Sequence, residues 1–194
     1  MRFIPTNTIN LNHSNRLWVV DNFYSDPMSV RDYALKQEYE DQSDWYKGRR
    51  TIDQHFVPGT KKAIESIMGI KIKEWESHGM CGRFQYCTPQ DSLVYHFDGQ
   101  TYAAMIYLTP NAPYQCGTSF YAHRETGVRH ESDFNSDVAF SGGFYDKTKF
   151  ELVDTVGNIF NRLVIFDAKC LHAASEYFGT TIEDSRLFHI FFFD

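Results

Sequence analysis

The hydrophobic pattern of the chain changes period near residue 70. Before it, apolar residues twice recur at helical spacing. Val30, Tyr33 and Ala34 follow Asp26-Pro27, an acid suited to cap a helix ahead of a proline suited to its first turn, and predict a helix over about 27–39. Ala63, Ile64, Ile67 and Met68 share one face of a second helix, which starts near Thr60 and stops around Gly69. Two extended runs, Phe3-Ile4 and Leu17-Trp18-Val19-Val20, come earlier. Beyond residue 70 the pattern shortens to strands: Ile70 to Trp75 and Met80 to Thr88 alternate, and further candidates cover 92–97, 102–108, 117–122, 150–155, 162–167 and 186–193. Two helices followed by many short strands predict an α+β domain built on a sandwich or jelly-roll barrel.

Two polar stretches interrupt this rhythm. Residues 41–57, which include Trp45-Tyr46-Lys47-Gly48-Arg49-Arg50, and residues 123–149 have no steady period and read as long loops, the expected walls and lids of a recognition site. The length of 194 residues fits a single domain, with 1–75 as supporting helices and strands and 76–194 as the core. The 17 Phe and 12 Tyr suit strand faces. A net charge of −6 argues against broad nucleic-acid binding. Cys81, Cys87, Cys116 and Cys170 lack C-x-x-C spacing and read as buried thiols. With no signal-peptide pattern and no apolar run of membrane-crossing length, the expected location is cytoplasmic, with no membrane contact. Oligomeric state is not encoded in any pattern of this kind.

The candidate chemistry begins at His96-Phe97-Asp98. On a strand, residues i and i+2 face the same way, so His96 and Asp98 aim together while Phe97 points away. His172 follows the strand-like Leu163 to Asp167 after a short turn and supplies a second imidazole. Two imidazoles and one carboxylate hold a non-haem Fe(II) on one face and leave other positions open. His123-Arg124-Glu125 repeats the pattern, but it opens a polar insertion with no strand placed to return another histidine. Arg186 heads the apolar Arg-Leu-Phe-His-Ile-Phe-Phe-Phe run. Facing inward, its guanidinium needs an anion such as a bound carboxylate; at a solvated strand end it pairs with Glu183 or Asp184.

From Gly82 to Asp194 the chain resembles the Fe(II)/2-oxoglutarate-dependent dioxygenases, in particular the prolyl 4-hydroxylase-like branch of the double-stranded β-helix superfamily. The elements that carry the resemblance run in order: Arg83-Phe84-Gln85-Tyr86, Tyr95-His96-Phe97-Asp98, Ala104-Met105-Ile106-Tyr107-Leu108, Cys116-Gly117-Thr118-Ser119-Phe120, Asn161 to Asp167, His172, and Arg186 to Asp194. The resemblance implies a double-stranded β-helix (jelly-roll) core with the N-terminal helices packed on its outer sheet. It implies His96, Asp98 and His172 as Fe(II) ligands and Arg186 as partner of the distal 2-oxoglutarate carboxylate. Tyr86 and Tyr107 match the tyrosines that flank the cosubstrate. O2 is the oxidant and ascorbate a reductant, and Asp98 favours hydroxylation over halogenation because it fills the place of a halide. Two departures stand out: the fourteen-residue gap from His172 to Arg186, and Cys116-Gly117 where many relatives carry Gly-Gly. By analogy the substrate is a peptidyl proline; a free amino acid, another small metabolite or a modified nucleobase stays open. The rival readings are a cupin-like module, which usually carries more histidine ligands, and a catalytically silent jelly roll.

Overall fold

Eight strands hydrogen-bond into one sheet and three into another in the computed structural model, which describes residues 8–11, 15–41, 47–140 and 143–194. Phe3-Ile4, Trp45-Tyr46 and Gly142 lie outside these residues. In chain order the strands are β1 (Thr8–Leu11), β2 (Asn15–Val20), β3 (Tyr39–Glu40), β4 (Arg49–Thr51), β5 (Arg83–Cys87), β6 (Tyr102–Tyr107), β7 (Thr118–His123), β8 (Phe150–Val156), β9 (Leu163–Asp167), β10 (His172–Ala174) and β11 (Arg186–Phe193). Two helices, α1 (Pro27–Ala34) and α2 (Thr60–Met68), precede β5. The larger sheet has the order β1-β2-β9-β6-β11-β5-β4-β3 and the smaller β10-β7-β8. Every pairing between strands is antiparallel, giving a jelly-roll-like arrangement. No helix among the described residues is long and apolar enough to cross a membrane.

β11 shows how the layers form. Leu187, Phe191 and Phe193 join a buried cluster with Ala34 of α1 and Ile64 and Met68 of α2. Phe188, Ile190 and Phe192 point the other way, into a cluster with Phe120 and Val156 of the smaller sheet. Both faces are buried, so the strand is apolar on both sides apart from Arg186 and His189, instead of alternating. A third cluster, with Tyr95, Tyr121, Phe150 and Leu171, covers the far face of the smaller sheet.

The helices follow their capping signals. The Asp26 side chain accepts from the Ser29 N–H, and Pro27 opens α1. α2 ends at Gly69, whose φ of 71° lets its N–H turn back to the Glu65 carbonyl. α1 stops at Ala34, short of the expected 39, because the chain tightens through Lys36 N–H to Tyr33 and Gln37 N–H to Ala34 before entering β3. Three other expectations fail for physical reasons. Residues 70–75 form no strand: Ile72 and Trp75 are separate anchors in the first cluster, with Trp75 stacked 4.9 Å from Phe191. Residues 92–97 are paired only through one bridge, at His96. The stretch 41–57, expected as loop, contributes β4, whose Arg50 and Thr51 are buried polar residues that no hydrophobic pattern marks.

Candidate metal centre

His96 and His172 lie directly opposite one another on neighbouring extended segments. Each N–H donates to the other's carbonyl, at 3.0 and 3.1 Å, so both side chains leave on the same face and their rings approach to 4.4 Å. Asp98, two residues beyond His96, returns to that face while its N–H bonds the Ala168 carbonyl. One Asp98 oxygen is 3.3 Å from His96 Nε2 and the other 3.3 Å from His172 Nε2. The ligand-capable atoms of the three residues lie within 4.8 Å of one another. His172 is buried against Phe166, with ring centroids 4.7 Å apart, whereas the His96 side chain is 38% exposed, so the centre opens on the His96 side.

The hydrogen bonds orient both rings. His96 Nδ1 meets the Val94 carbonyl at 2.9 Å and His172 Nδ1 the Cys170 carbonyl at 2.8 Å. A carbonyl only accepts, so each Nδ1 carries the proton and each Nε2 presents a lone pair inward. Three convergent lone-pair atoms demand a cation. The same demand shows in their acidity. Burial opposes charge on Asp98, but the two imidazoles outweigh it and hold the carboxyl well below the usual carboxylate range. Burial likewise opposes a proton on His96, yet Asp98 raises it above the ordinary histidine value. The donor set therefore fits a divalent transition metal.

Arg186 faces the space between the sheets and is only 2% exposed. Its Nε donates to the Cys116 carbonyl at 3.2 Å and its Nη2 to the Gly117 carbonyl at 3.1 Å and Thr118 Oγ1 at 3.3 Å. Its guanidinium lies over the Phe188 and Tyr107 rings, centroids 4.6 and 5.3 Å away. No carboxylate among the described residues pairs with it. Asp184 instead accepts from the Thr180 and Thr181 N–H groups, and Glu183 offers its main-chain carbonyl to Arg31. The seat for Arg186 depends on Gly117, where an added Cβ would fall 1.8 Å from the Val156 carbonyl oxygen. Gly117→Ala is expected to lower stability by about 1–3 kcal/mol through forced backbone displacement, read by urea unfolding; an unchanged midpoint would remove Gly117 from this role.

Tyr107 is fully buried on the inner face, its hydroxyl 2.8 Å from Thr118 Oγ1. Tyr86 is not brought to the site. It pairs with Leu187, belongs to the cluster on the outer face, and packs on Tyr39 at 5.2 Å. Its neighbours Gln85 and Cys87 take the inner face, opposite Phe188 and Arg186. Tyr177, inside the long gap before β11, packs into the intersheet cluster that holds Cys87; burial raises its hydroxyl well above the ordinary value. The Cys87 thiol is pushed up to about 11 by burial and is not a ready nucleophile. His123 stays out of the centre, its Nδ1 2.9 Å from the Thr126 hydroxyl and its ring edge-on to Phe150. Contacts of the polar stretches include Phe140 packing on Phe97 at 5.1 Å and Lys47 Nζ lying 5.7 Å from the Tyr145 ring centroid.

The fold is that of known enzymes. It is similar to a prolyl hydroxylase from Trichoplax adhaerens solved with a hypoxia inducible factor oxygen degradation domain peptide, with a TM-score of 0.56 over 91% of this chain and 82% of that one. A Pseudomonas putida prolyl-4-hydroxylase gives 0.53 over 91% of both chains. HygX from Streptomyces hygroscopicus, solved with nickel, 2-oxoglutarate and hygromycin B, gives 0.54 over 90% of this chain and 81% of that one. Identity is 12% in each case, so the likeness is one of fold. No curated protein sequence matches the chain. Residues 4–176, which include all three convergent side chains, match the Family of unknown function (DUF6445). The chain thus belongs to the DUF6445 family and has the fold of the prolyl 4-hydroxylase-like 2-oxoglutarate oxygenases.

Proposed function

We propose that this protein is an Fe(II)- and 2-oxoglutarate-dependent oxygenase that hydroxylates a C–H bond of a small molecule or peptide. The observation that carries this reading is a two-histidine, one-carboxylate set opening onto the same intersheet space as a buried arginine. His96, Asp98 and His172 hold the metal, with Asp98 supplying the charge and the Val94 and Cys170 carbonyls fixing the two imidazole tautomers. Arg186 binds the distal carboxylate of 2-oxoglutarate, and the Tyr107 hydroxyl lies beside it to donate a further hydrogen bond. When bound, Fe(II) with 2-oxoglutarate and O2 supplies oxidative decarboxylation to succinate and CO2, coupled to hydroxylation. The chain itself orients the reactants and keeps the cosubstrate end dry with Phe188, Val164 and Met105.

The proposed organisation is one domain, with 1–75 as supporting helices and strands and 76–194 as the catalytic core. The four cysteines are buried thiols, which supports a reducing, cytoplasmic setting. The similar structures hold a peptide in one case and hygromycin B in another, so both substrate classes fit the fold. Incubation with Fe(II), ascorbate and 2-oxoglutarate is expected to yield succinate. Arg186→Ala is expected to weaken 2-oxoglutarate binding on the order of 10–100-fold, the loss of a charge-assisted pair, while iron is retained. Unchanged 2-oxoglutarate affinity would remove Arg186 from the site, and absence of succinate with every candidate substrate would count against the reading.

A further inference from the structure

The face of the smaller sheet turned away from the metal centre carries a recess of its own. Phe120 of β7 lies opposite His172 and faces the metal side, so Ser119 and Tyr121, on either side of it in the chain, face outward. They line the floor of a groove of about 530 Å³, with Phe150 and Leu152 of β8 among its walls. The floor is rich in hydroxyls. Ser119 Oγ, on a residue only 1% exposed, lies 2.8 Å from Thr155 Oγ1 of β8 and 2.6 Å from Ser175 Oγ, just after β10. A hydroxyl both donates and accepts, so this floor can answer the N–H and the C=O groups of a bound main chain.

The two ends of the groove carry opposite charge. At one end the Arg124 N–H bonds the Lys149 carbonyl at 2.8 Å, and the Arg124 and Lys147 side chains line the groove. At the other the Ser175 N–H bonds the Gly117 carbonyl at 3.1 Å, and Glu176 lines the groove beside Ser175. Among the described residues, none of Arg124, Lys147 and Glu176 takes part in an ion pair. Burial raises the pKa of the Tyr121 hydroxyl and the Glu176 charge adds to the rise, so that carboxylate is felt along the floor. From Ser119 to Arg124 the strand direction advances roughly 16 Å.

We infer that this groove is a second binding site, for a short extended peptide with both ends free, its carboxylate at Arg124 and Lys147 and its ammonium at Glu176. Charge complementarity sets the direction of the chain, and the length suits about four residues in extended form. A diacid or a diamine would satisfy one end only. The hydroxyl floor meets the main chain, while Phe150 and Leu152 offer apolar surface to its side chains. The groove lies across β7 from His172, so it neither uses the metal centre nor depends on the oxygenase reading.

The test is calorimetric titration of the whole protein with tetra-L-alanine, its N-acetyl form, its C-terminal amide and the doubly blocked peptide. The three charged side chains are exposed, so blocking either end is expected to weaken binding about two- to fivefold, the worth of a solvated charge pair. Raised salt should shrink that difference. Replacing both cations, Arg124→Gln with Lys147→Gln, is expected to erase the preference for a free carboxylate and keep the preference for a free ammonium. Glu176→Gln is expected to do the converse. Such exposed substitutions leave the buried clusters intact, which circular dichroism checks. Equal binding of all four peptides by the wild type, or binding of none, overturns the inference. So does a preference that survives both sets of substitutions, since the peptide then sits elsewhere, the metal centre included.

Discussion

Asp98→Ala is expected to abolish iron retention and succinate formation together. Asp98 is the only carboxylate of the convergent set and supplies its only negative charge. Each of its oxygens faces one Nε2, so its removal leaves two neutral imidazoles and no counter-charge for a divalent cation. Loss of an outer partner of a metal ligand costs roughly 10–100-fold, and loss of a ligand that also carries the charge should exceed that. The fold should survive, because the bond to the Ala168 carbonyl comes from the main chain of residue 98. Iron content after anaerobic loading, succinate yield and far-ultraviolet circular dichroism together separate these effects. A folded variant that keeps its iron and most of its turnover would defeat the ligand assignment.

Acid should destabilise the protein through a histidine outside the metal centre. His189, fully buried in β11, has its ring 4.1 Å from Phe84 and 4.4 Å from Phe191. Its Nε2 donates to the His55 and Gly82 carbonyls, at 2.9 and 3.1 Å, so Nδ1 is the acceptor for the Tyr24 hydroxyl at 2.9 Å. Burial lowers its pKa to about 3 in the folded chain, against roughly 6.5 when unfolded. Between those values the unfolded chain binds a proton that the native chain refuses. Stability therefore falls with pH from about 6.5 downward, by about 1.4 kcal/mol per unit. Going from neutral pH to about 4.5 should remove roughly 2–3 kcal/mol, a sizeable part of a typical 5–15 kcal/mol. His55, also lowered by burial, adds in the same sense, and His96, raised, acts in the opposite one. His189→Gln keeps a donor and an acceptor without the titration, so its unfolding free energy should vary less with pH even though it starts lower. An equally steep decline in that variant would show that another group is responsible.

Much of this architecture was legible in the sequence. β11 matches the expected 186–193 because an apolar run, broken only by His189 and bounded by Arg186 and Asp194, leaves little freedom. Asp26 and Pro27 marked the start of α1 and Gly69 the end of α2, and the i, i+2 spacing placed His96 and Asp98 together. What sequence could not supply was the phase of strands buried on both faces. In β5 the aromatic Phe84 and Tyr86 face outward to the helical layer and the polar Gln85 and Cys87 face the cavity, the reverse of a guess that puts tyrosine in the site. Only the layer outside decides that phase. Arg50 was similarly hidden, since its strand is three residues long and polar, and Tyr177 lay in a gap whose reach into the cavity depends on tertiary contacts.

The mutual hydrogen bonds of His96 and His172 carry one more implication. Because neighbouring residues on an extended segment face opposite ways, a slip of one residue in that pairing would send the two rings to opposite sides and destroy the donor set. A chain that has mispaired there keeps at most the His96 and Asp98 pair, without the second imidazole. Binding of the proposed metal would then favour the molecules whose distant segments have met in register.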